Sequence, residues 1–155
     1  MITLAIARHA KSDWGDPGLP DHDRPLNARG QKDAPAMAKL LAARGFRPET
    51  IVSSTATRAR TTAAAFSDAL GVPVVLEPSL YGAAPDTLLA VAAASGVDRV
   101  LVVAHDPGLS ELAHALADEI THMPTCAVAT FVWDVDDWAS ALAQPPARWL
   151  FDVPR

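Results

Sequence analysis

Three short polar segments of this sequence contain the side chains best suited to chemistry, and each follows an apolar run. The first is the pair Arg8-His9, the second runs from Ser53 to Arg58, and the third is the pair His105-Asp106. A histidine can act as a nucleophile or a base, and an arginine can hold an anion through forked hydrogen bonds. Together these residue types indicate a site for an anionic group such as a phosphate.

The segment from Ser53 to Arg58 is predicted to lie where a strand ends and a helix begins. Backbone N–H groups at a helix start attract anions, and Arg58 falls in the first turn of this helix. Thr62 lies four residues further on and shares that face. The hydroxyls of this segment are also common helix caps, so a purely structural role is the alternative.

The pair His105-Asp106 is a dipeptide that metal-dependent HD hydrolases also contain. Those enzymes need several further His and Asp ligands on helices, whereas this pair follows a strand, so no metal site is expected. Asp106 is instead expected to cap the next helix, with Pro107 in its first position. Cys126 is the only cysteine and can form neither an internal disulfide nor a cysteine-based metal cluster.

Strands and helices must position these segments. We predict strands at residues 2–7, 50–53, 73–76, 99–104, 126–134 and 147–153, and helices at 27–45, 56–70, 87–95 and 107–118. Continuous apolar strands that alternate with helices predict a three-layer α/β/α sandwich with a mostly parallel central sheet of about six strands. The last two strands lack a long helix between them, which predicts an antiparallel edge. Ligands in such sheets bind beyond the carboxyl ends of the strands, where the three polar segments lie.

Single residues give signals for the helix boundaries. Pro35 lies inside the first helical pattern, which predicts that the regular part of that helix begins near Asp33. Gly71 is expected to close the second helix in a left-handed conformation, and Asp86 is expected to cap the third.

Length and charge restrict the class of protein. A chain of 155 residues, half of them apolar, suits one domain over residues 1–155 with a packed core. No apolar run approaches a membrane span and the start does not read as a signal peptide, so a cytoplasmic location away from membranes is expected.

The net charge is −5, although residues 1–60 carry ten basic and six acidic side chains. The acidic net charge argues against a nucleic-acid partner. The basic residues of the first 60 positions include the arginines of the first two polar segments.

The order of the motifs resembles the histidine phosphatase superfamily, whose fold is phosphoglycerate-mutase-like. The motifs are RHA at 8–10, S-x-x-x-R-x-x-x-T from Ser54 to Thr62, and AHDPG at 104–108. The stretches RHAKSDW at 8–14, DHDRPLNARG at 21–30 and MPT at 123–125 are similar to the short SixA-type branch of phosphohistidine phosphatases.

The resemblance implies a role for each matching residue. His9 is the nucleophile that becomes phosphorylated, and Arg8, Arg58 and His105 bind the phosphoryl oxygens. Arg24, in the D-R-P-L segment, is expected to join them. The activity is expected to need no metal and no cofactor.

The proton donor is less clearly marked than the phosphate-binding residues. Larger members of the superfamily place a carboxylate after the third strand, which would correspond to Glu77. Asp21 and Asp23, in the loop before Arg24, are the alternatives, and together we rank them ahead of Glu77.

The expected substrate is phosphohistidine in a partner protein. Only 46 residues separate Arg58 and His105, which leaves no room for the helical cap domain that larger members insert there. An open pocket suits a side chain on a folded protein, and the loop at 11–26, with Trp14, is expected to contact it. Two alternatives are a phosphatase of a small phosphorylated metabolite and a non-catalytic phosphate-binding module, although the second would not need both His9 and His105.

Overall fold

The computed structural model describes all 155 residues and contains a six-stranded mixed sheet in the order β3-β2-β4-β1-β5-β6. The strands are β1 Ile2–Arg8, β2 Thr50–Ser53, β3 Val74–Leu76, β4 Arg99–Ala104, β5 Val128–Trp133 and β6 Arg148–Asp152. The helices are α1 Ala28–Ala43, α2 Thr57–Leu70, α3 Pro85–Ala94, α4 Gly108–Leu116 and α5 Trp138–Leu142. None of the helices is both long and apolar enough to span a membrane.

The sheet is parallel on one side and antiparallel on the other. Strands β3, β2, β4 and β1 pair in parallel, β5 is antiparallel to β1, and β6 is antiparallel to β5. The register pairs Arg8 with Ala104 and Ser53 with Val103, so the carboxyl ends of β1, β2 and β4 lie side by side. The predicted fold class, with its antiparallel edge, is confirmed.

Helices cover both faces of the sheet. Successive side chains of a strand point to opposite faces, so Leu4 and Ile6 of β1 pack in one cluster and Ala5 and Ala7 in the other. The first cluster includes buried side chains of α3, α4 and α5, and the second includes those of α1 and α2. The sheet is therefore held between two apolar layers, and the polar segments lie at its edge.

The start of α1 differs from the sequence prediction. The helix begins at Ala28, not near Asp33, because the Asn27 side chain caps it by accepting a hydrogen bond from the Gly30 N–H. Pro35 continues the helix on its exposed face, although it lacks the N–H that would bond to the Gln31 carbonyl. Gln31 is exposed too, so water can reach the carbonyl that Pro35 leaves without a donor.

Two further local predictions have different outcomes. Gly71 ends α2 with φ of 70°, as predicted for a left-handed cap. Asp86 does not cap α3, because that helix begins one residue earlier, at Pro85, and Asp86 falls in its first turn. The five-residue helix α5 and the short 3-10 turns at 21–23 and 78–80 were not predicted, since one turn is too short to show periodicity.

Candidate active site

The three polar segments meet at the carboxyl edge of the parallel strands. Arg8 is the last residue of β1 and Ser53 the last of β2, while His105 directly follows β4. The main chain of His9 is held on both sides, because its N–H donates to the Ala104 carbonyl and its carbonyl accepts from the Cys126 N–H. The side chain of His9 therefore projects from a rigid strand end.

The contacts of His9 determine where its ring carries a proton. Nδ1 lies 2.8 Å from the carbonyl oxygen of Ala10, which can only accept, so Nδ1 carries the hydrogen. Arg58 Nε can only donate, and it lies 3.3 Å from His9 Nε2. Burial, and secondarily the positive charge of Arg58, lowers the pKa of His9 to about 4 despite the Ala10 contact. At neutral pH the ring is uncharged, with the lone pair on Nε2 facing Arg58.

Thr62 joins two parts of the site. Its Oγ1 accepts a hydrogen bond from the Ala10 N–H at 3.0 Å and donates to the carbonyl of Arg58 at 2.8 Å. The threonine at the end of the S-x-x-x-R-x-x-x-T pattern therefore connects the loop that carries His9 to the first turn of α2.

His105 faces His9 with a ring-centroid separation of 5.1 Å. Its Nε2 lies 2.7 Å from Ser54 Oγ, and its Nδ1 is buried without a partner. Burial, followed by the nearby His9 and Arg58, lowers the pKa of His105 to about 3, so the ring is neutral before an anion binds. With the Ser54 hydroxyl donating to Nε2, Nδ1 keeps its hydrogen and can donate it to a ligand oxygen.

Arg8 is positioned by the segments that follow β4 and α4. Its Nη1 donates to the Met123 carbonyl at 2.9 Å and lies 3.5 Å from Asp106 Oδ2. Asp106 in turn accepts from the Ser110 N–H, as expected of a residue that caps α4, although Pro107 and not Asp106 directly precedes the helix. Arg8 Nε is buried without a partner, which leaves a donor for a bound anion.

Arg58 and Arg24 converge on one carboxylate. Arg58 Nη2 donates to Asp21 Oδ2 at 2.9 Å, and Arg24 Nε donates to Asp21 Oδ1 at 3.1 Å. Arg24 also donates to Ser12 Oγ at 2.6 Å, and its guanidinium lies 3.5 Å from the ring centre of Trp14. Arg24, the arginine of the D-R-P-L segment, is therefore linked to Arg58 through the carboxylate of Asp21.

The three candidate proton donors lie in different environments. The Tyr81 hydroxyl, which donates to Asp21, and then Arg58 and Arg24 hold the pKa of Asp21 well below its usual range. Asp21 is thus ionised here and has no proton to donate in this arrangement. Asp23 is exposed, 3.7 Å from His22 Nδ1, and Glu77 accepts from Ser79 at the wall of a separate groove of about 570 Å³.

Two aromatic residues at the rim were not assigned to the site from sequence. The Tyr81 ring packs edge-on to His105, with centroids 5.4 Å apart, and edge-on to His22 at 5.0 Å. His22 Nε2 also lies 2.8 Å from Thr55 Oγ1. Tyr81 lies in none of the motifs, and His22 lies within the DHDRPLNARG stretch but follows no strand, so it is the tertiary contacts that place both residues at the site.

The chain is similar to known proteins in sequence and in fold. Residues 4–82 match the family described as the histidine phosphatase superfamily (branch 1). An uncharacterised chloroplastic protein of Arabidopsis thaliana is 30% identical over 163 residues, which span 96% of this chain and 75% of that protein.

Two solved structures share the fold over nearly the whole chain. A candidate phosphohistidine phosphatase SixA from Nakamurella multipartitia superposes with a TM-score of 0.85 at 31% identity, covering 99% of this chain and 96% of that one. A candidate phosphohistidine phosphatase SixA from Agrobacterium tumefaciens superposes with a TM-score of 0.82 at 32% identity, covering 99% of both chains.

Proposed function

This chain belongs to the histidine phosphatase superfamily, branch 1, and from that premise we propose that it hydrolyses phosphohistidine in a partner protein through a phosphorylated His9. The observation that carries the proposal is the state of His9. Its Nδ1–H is bound to the Ala10 carbonyl, and its unprotonated Nε2 faces Arg58. A neutral imidazole held in one tautomer is a ready nucleophile for phosphorus.

The first step forms the bond between His9 Nε2 and phosphorus and breaks the bond between phosphorus and the substrate nitrogen. Arg8, Arg24 and Arg58 supply fixed positive charge to the phosphoryl oxygens, and His105 Nδ1–H adds a donor. In the second step water attacks phosphorus, the phosphorus–Nε2 bond breaks, and inorganic phosphate leaves. The neutral ring of His9 is regenerated, with its hydrogen still on Nδ1.

The environment of Asp21 supports a phosphoramidate substrate. An alkoxide leaving group needs a proton from a neighbouring acid, and in the free protein the carboxyl nearest to Arg58 is ionised, so it does not carry that proton into the complex. A phosphoimidazole that carries a proton on its second nitrogen leaves as neutral imidazole and needs no such acid. This difference favours phosphohistidine over phosphate esters.

The openness of the site supports a protein substrate. The chain between Arg58 and His105 consists of the rest of α2, β3, a short 3-10 turn, α3, β4 and the short loops between them, with no inserted cap. Trp14, Leu19 and Tyr81 are exposed in the segments around the site, with 71%, 37% and 40% of their surface accessible. An exposed apolar rim can contact a folded partner, whereas a small ester would touch little beyond the phosphate-binding groups.

Substrate preference is the direct test of the proposal. We expect kcat/KM for a phosphohistidine-bearing protein to exceed that for phosphoglycerate or a sugar phosphate by about tenfold or more, because only the former avoids the need for an acid. Release of phosphate would be followed for each substrate, with a His9→Ala sample subtracting spontaneous hydrolysis. A small ester preferred by an order of magnitude would reject the protein substrate.

Chelation tests the role of metals. The side chains contain no group of three or more His, Cys, Asp and Glu residues placed to hold a metal ion. Because arginines supply the positive charge, we expect the rate of aryl phosphate hydrolysis to be unchanged by EDTA and inhibited competitively by tungstate. Loss of activity with EDTA that added Mg²⁺ or Zn²⁺ restores would overturn this expectation.

A further inference from the structure

Arg58 has no guanidinium nitrogen free of a contact. Its Nε donates to His9 Nε2, its Nη1 donates to the backbone carbonyl of Asp21 at 2.7 Å, and its Nη2 donates to the Asp21 carboxylate. Arg58 is buried, so its guanidinium has little freedom to turn toward another partner. A phosphoryl group that reaches the Nε–Nη2 edge must therefore replace the carboxylate of Asp21.

The carboxylate of Asp21 is held as a bound anion would be. Oδ1 accepts from Arg24 Nε and lies 3.1 Å from its Nη2, while Oδ2 accepts from Arg58 Nη2 and from the Tyr81 hydroxyl. Two buried arginines and one phenol thus share a single carboxylate that is half exposed to solvent. These donors are of the kind that recognises phosphate oxygens.

We propose that Asp21 is a built-in competitor for the phosphoryl group, which occupies Arg24 and Arg58 in the free protein and is displaced when substrate binds. The proposal rests on the proposed function, in which these two arginines bind the phosphoryl oxygens. Asp21 keeps the buried guanidinium groups paired and oriented while the site is empty.

Displacement makes Asp21 a specificity-determining residue. A carboxylate brings one negative charge and two oxygens, whereas a phosphoryl group brings nearly two charges and three oxygens. A monoanion such as a substrate carboxylate would replace the Asp21 carboxylate with a group of the same charge and the same number of oxygens. Its binding would therefore gain little free energy from the exchange. A dianionic phosphoryl group gains additional charge-assisted hydrogen bonds, so the exchange selects phosphate over other anions.

Anion binding to the intact protein tests the proposal. Tungstate affinity would be measured by calorimetry at pH 8 for the parent, Asp21→Asn and Tyr81→Phe. We expect the dissociation constant to fall by about tenfold or more in Asp21→Asn, because the charged competitor is gone, and by roughly threefold in Tyr81→Phe, because the competitor is held less firmly. Tyr81→Phe keeps the test available if Asp21→Asn fails to fold.

Asp16→Asn is the matched control. Asp16 lies in the same loop ahead of Arg24, carries the same charge, and its carboxylate accepts from the Gly18 N–H, whereas Arg24 and Arg58 form their ion pairs with Asp21. Removing the charge of Asp16 should change the dissociation constant less than twofold if only local competition matters. An equal gain in Asp16→Asn and Asp21→Asn would show general charge repulsion and overturn the proposal.

The remaining outcomes separate this proposal from the proposed function. If the parent binds tungstate and neither Asp21→Asn nor Tyr81→Phe binds it more tightly, the competitor role of Asp21 is wrong while the phosphate site stands. If neither the parent nor Asp21→Asn binds tungstate, the phosphate site itself is wrong, and the proposed function fails together with the role of Asp21.

Discussion

Replacing His9 with alanine is expected to lower kcat on the order of 10⁴-fold or more, the scale on which loss of a covalent nucleophile reduces turnover. The fold should survive, because the main-chain N–H and carbonyl of His9 stay bonded to Ala104 and Cys126 whatever the side chain. Phosphate release and the thermal midpoint would be measured on the same preparation. His114→Ala, on the exposed face of α4, is the matched control and should keep parental activity.

A trapped intermediate provides a second readout for His9. Brief incubation with labelled phosphohistidine protein, followed by a denaturing quench, should leave phosphate on the parent and none on His9→Ala. The linkage should be labile in acid and stable in alkali, as a phosphoramidate is. An acid-stable linkage, or full activity in His9→Ala, would contradict covalent catalysis by His9.

Arg58→Lys is expected to lose about 10²- to 10³-fold in kcat/KM although it keeps the positive charge. Lysine cannot place one donor at His9 Nε2 and two others at the position of Asp21, as the planar guanidinium does. The variant should therefore bind the phosphoryl group in the wrong orientation. Kinetics with an aryl phosphate and with the phosphohistidine protein would give the loss for both substrates.

Arg60→Lys is the matched control for Arg58→Lys. Arg60 lies two residues further along α2 and is exposed, and its guanidinium donates to Thr57 of its own helix. Parental activity in Arg60→Lys together with a large loss in Arg58→Lys would place the effect in the site. A loss of a few-fold or less in Arg58→Lys would show that the fork geometry is unimportant.

The class of fold could be predicted because its signals are local. Short apolar runs mark the strands, Gly71 marks the end of α2, and the lack of a long helix before β6 marks the antiparallel edge. Parallel strands bring their carboxyl ends to the same edge, so Arg8, Ser53 and His105 could be expected to meet without coordinates. The helix start predicted near Asp33 is wrong because Pro35, which usually interrupts a helix, lies on the exposed face of α1 and the helix continues through it.

The sequence by itself determined which residues could form the site, and the tertiary structure alone decided their protonation states and partners. Motif and strand order place His9 beside Arg58, whereas the neutral ring follows from burial, which depends on every element packed around it. Tyr81 lies 60 residues from Asp21, and no periodicity relates two loop residues so far apart. Their contact, which with the two arginines keeps Asp21 ionised, arises only when the turns after β1 and β3 meet above the sheet edge.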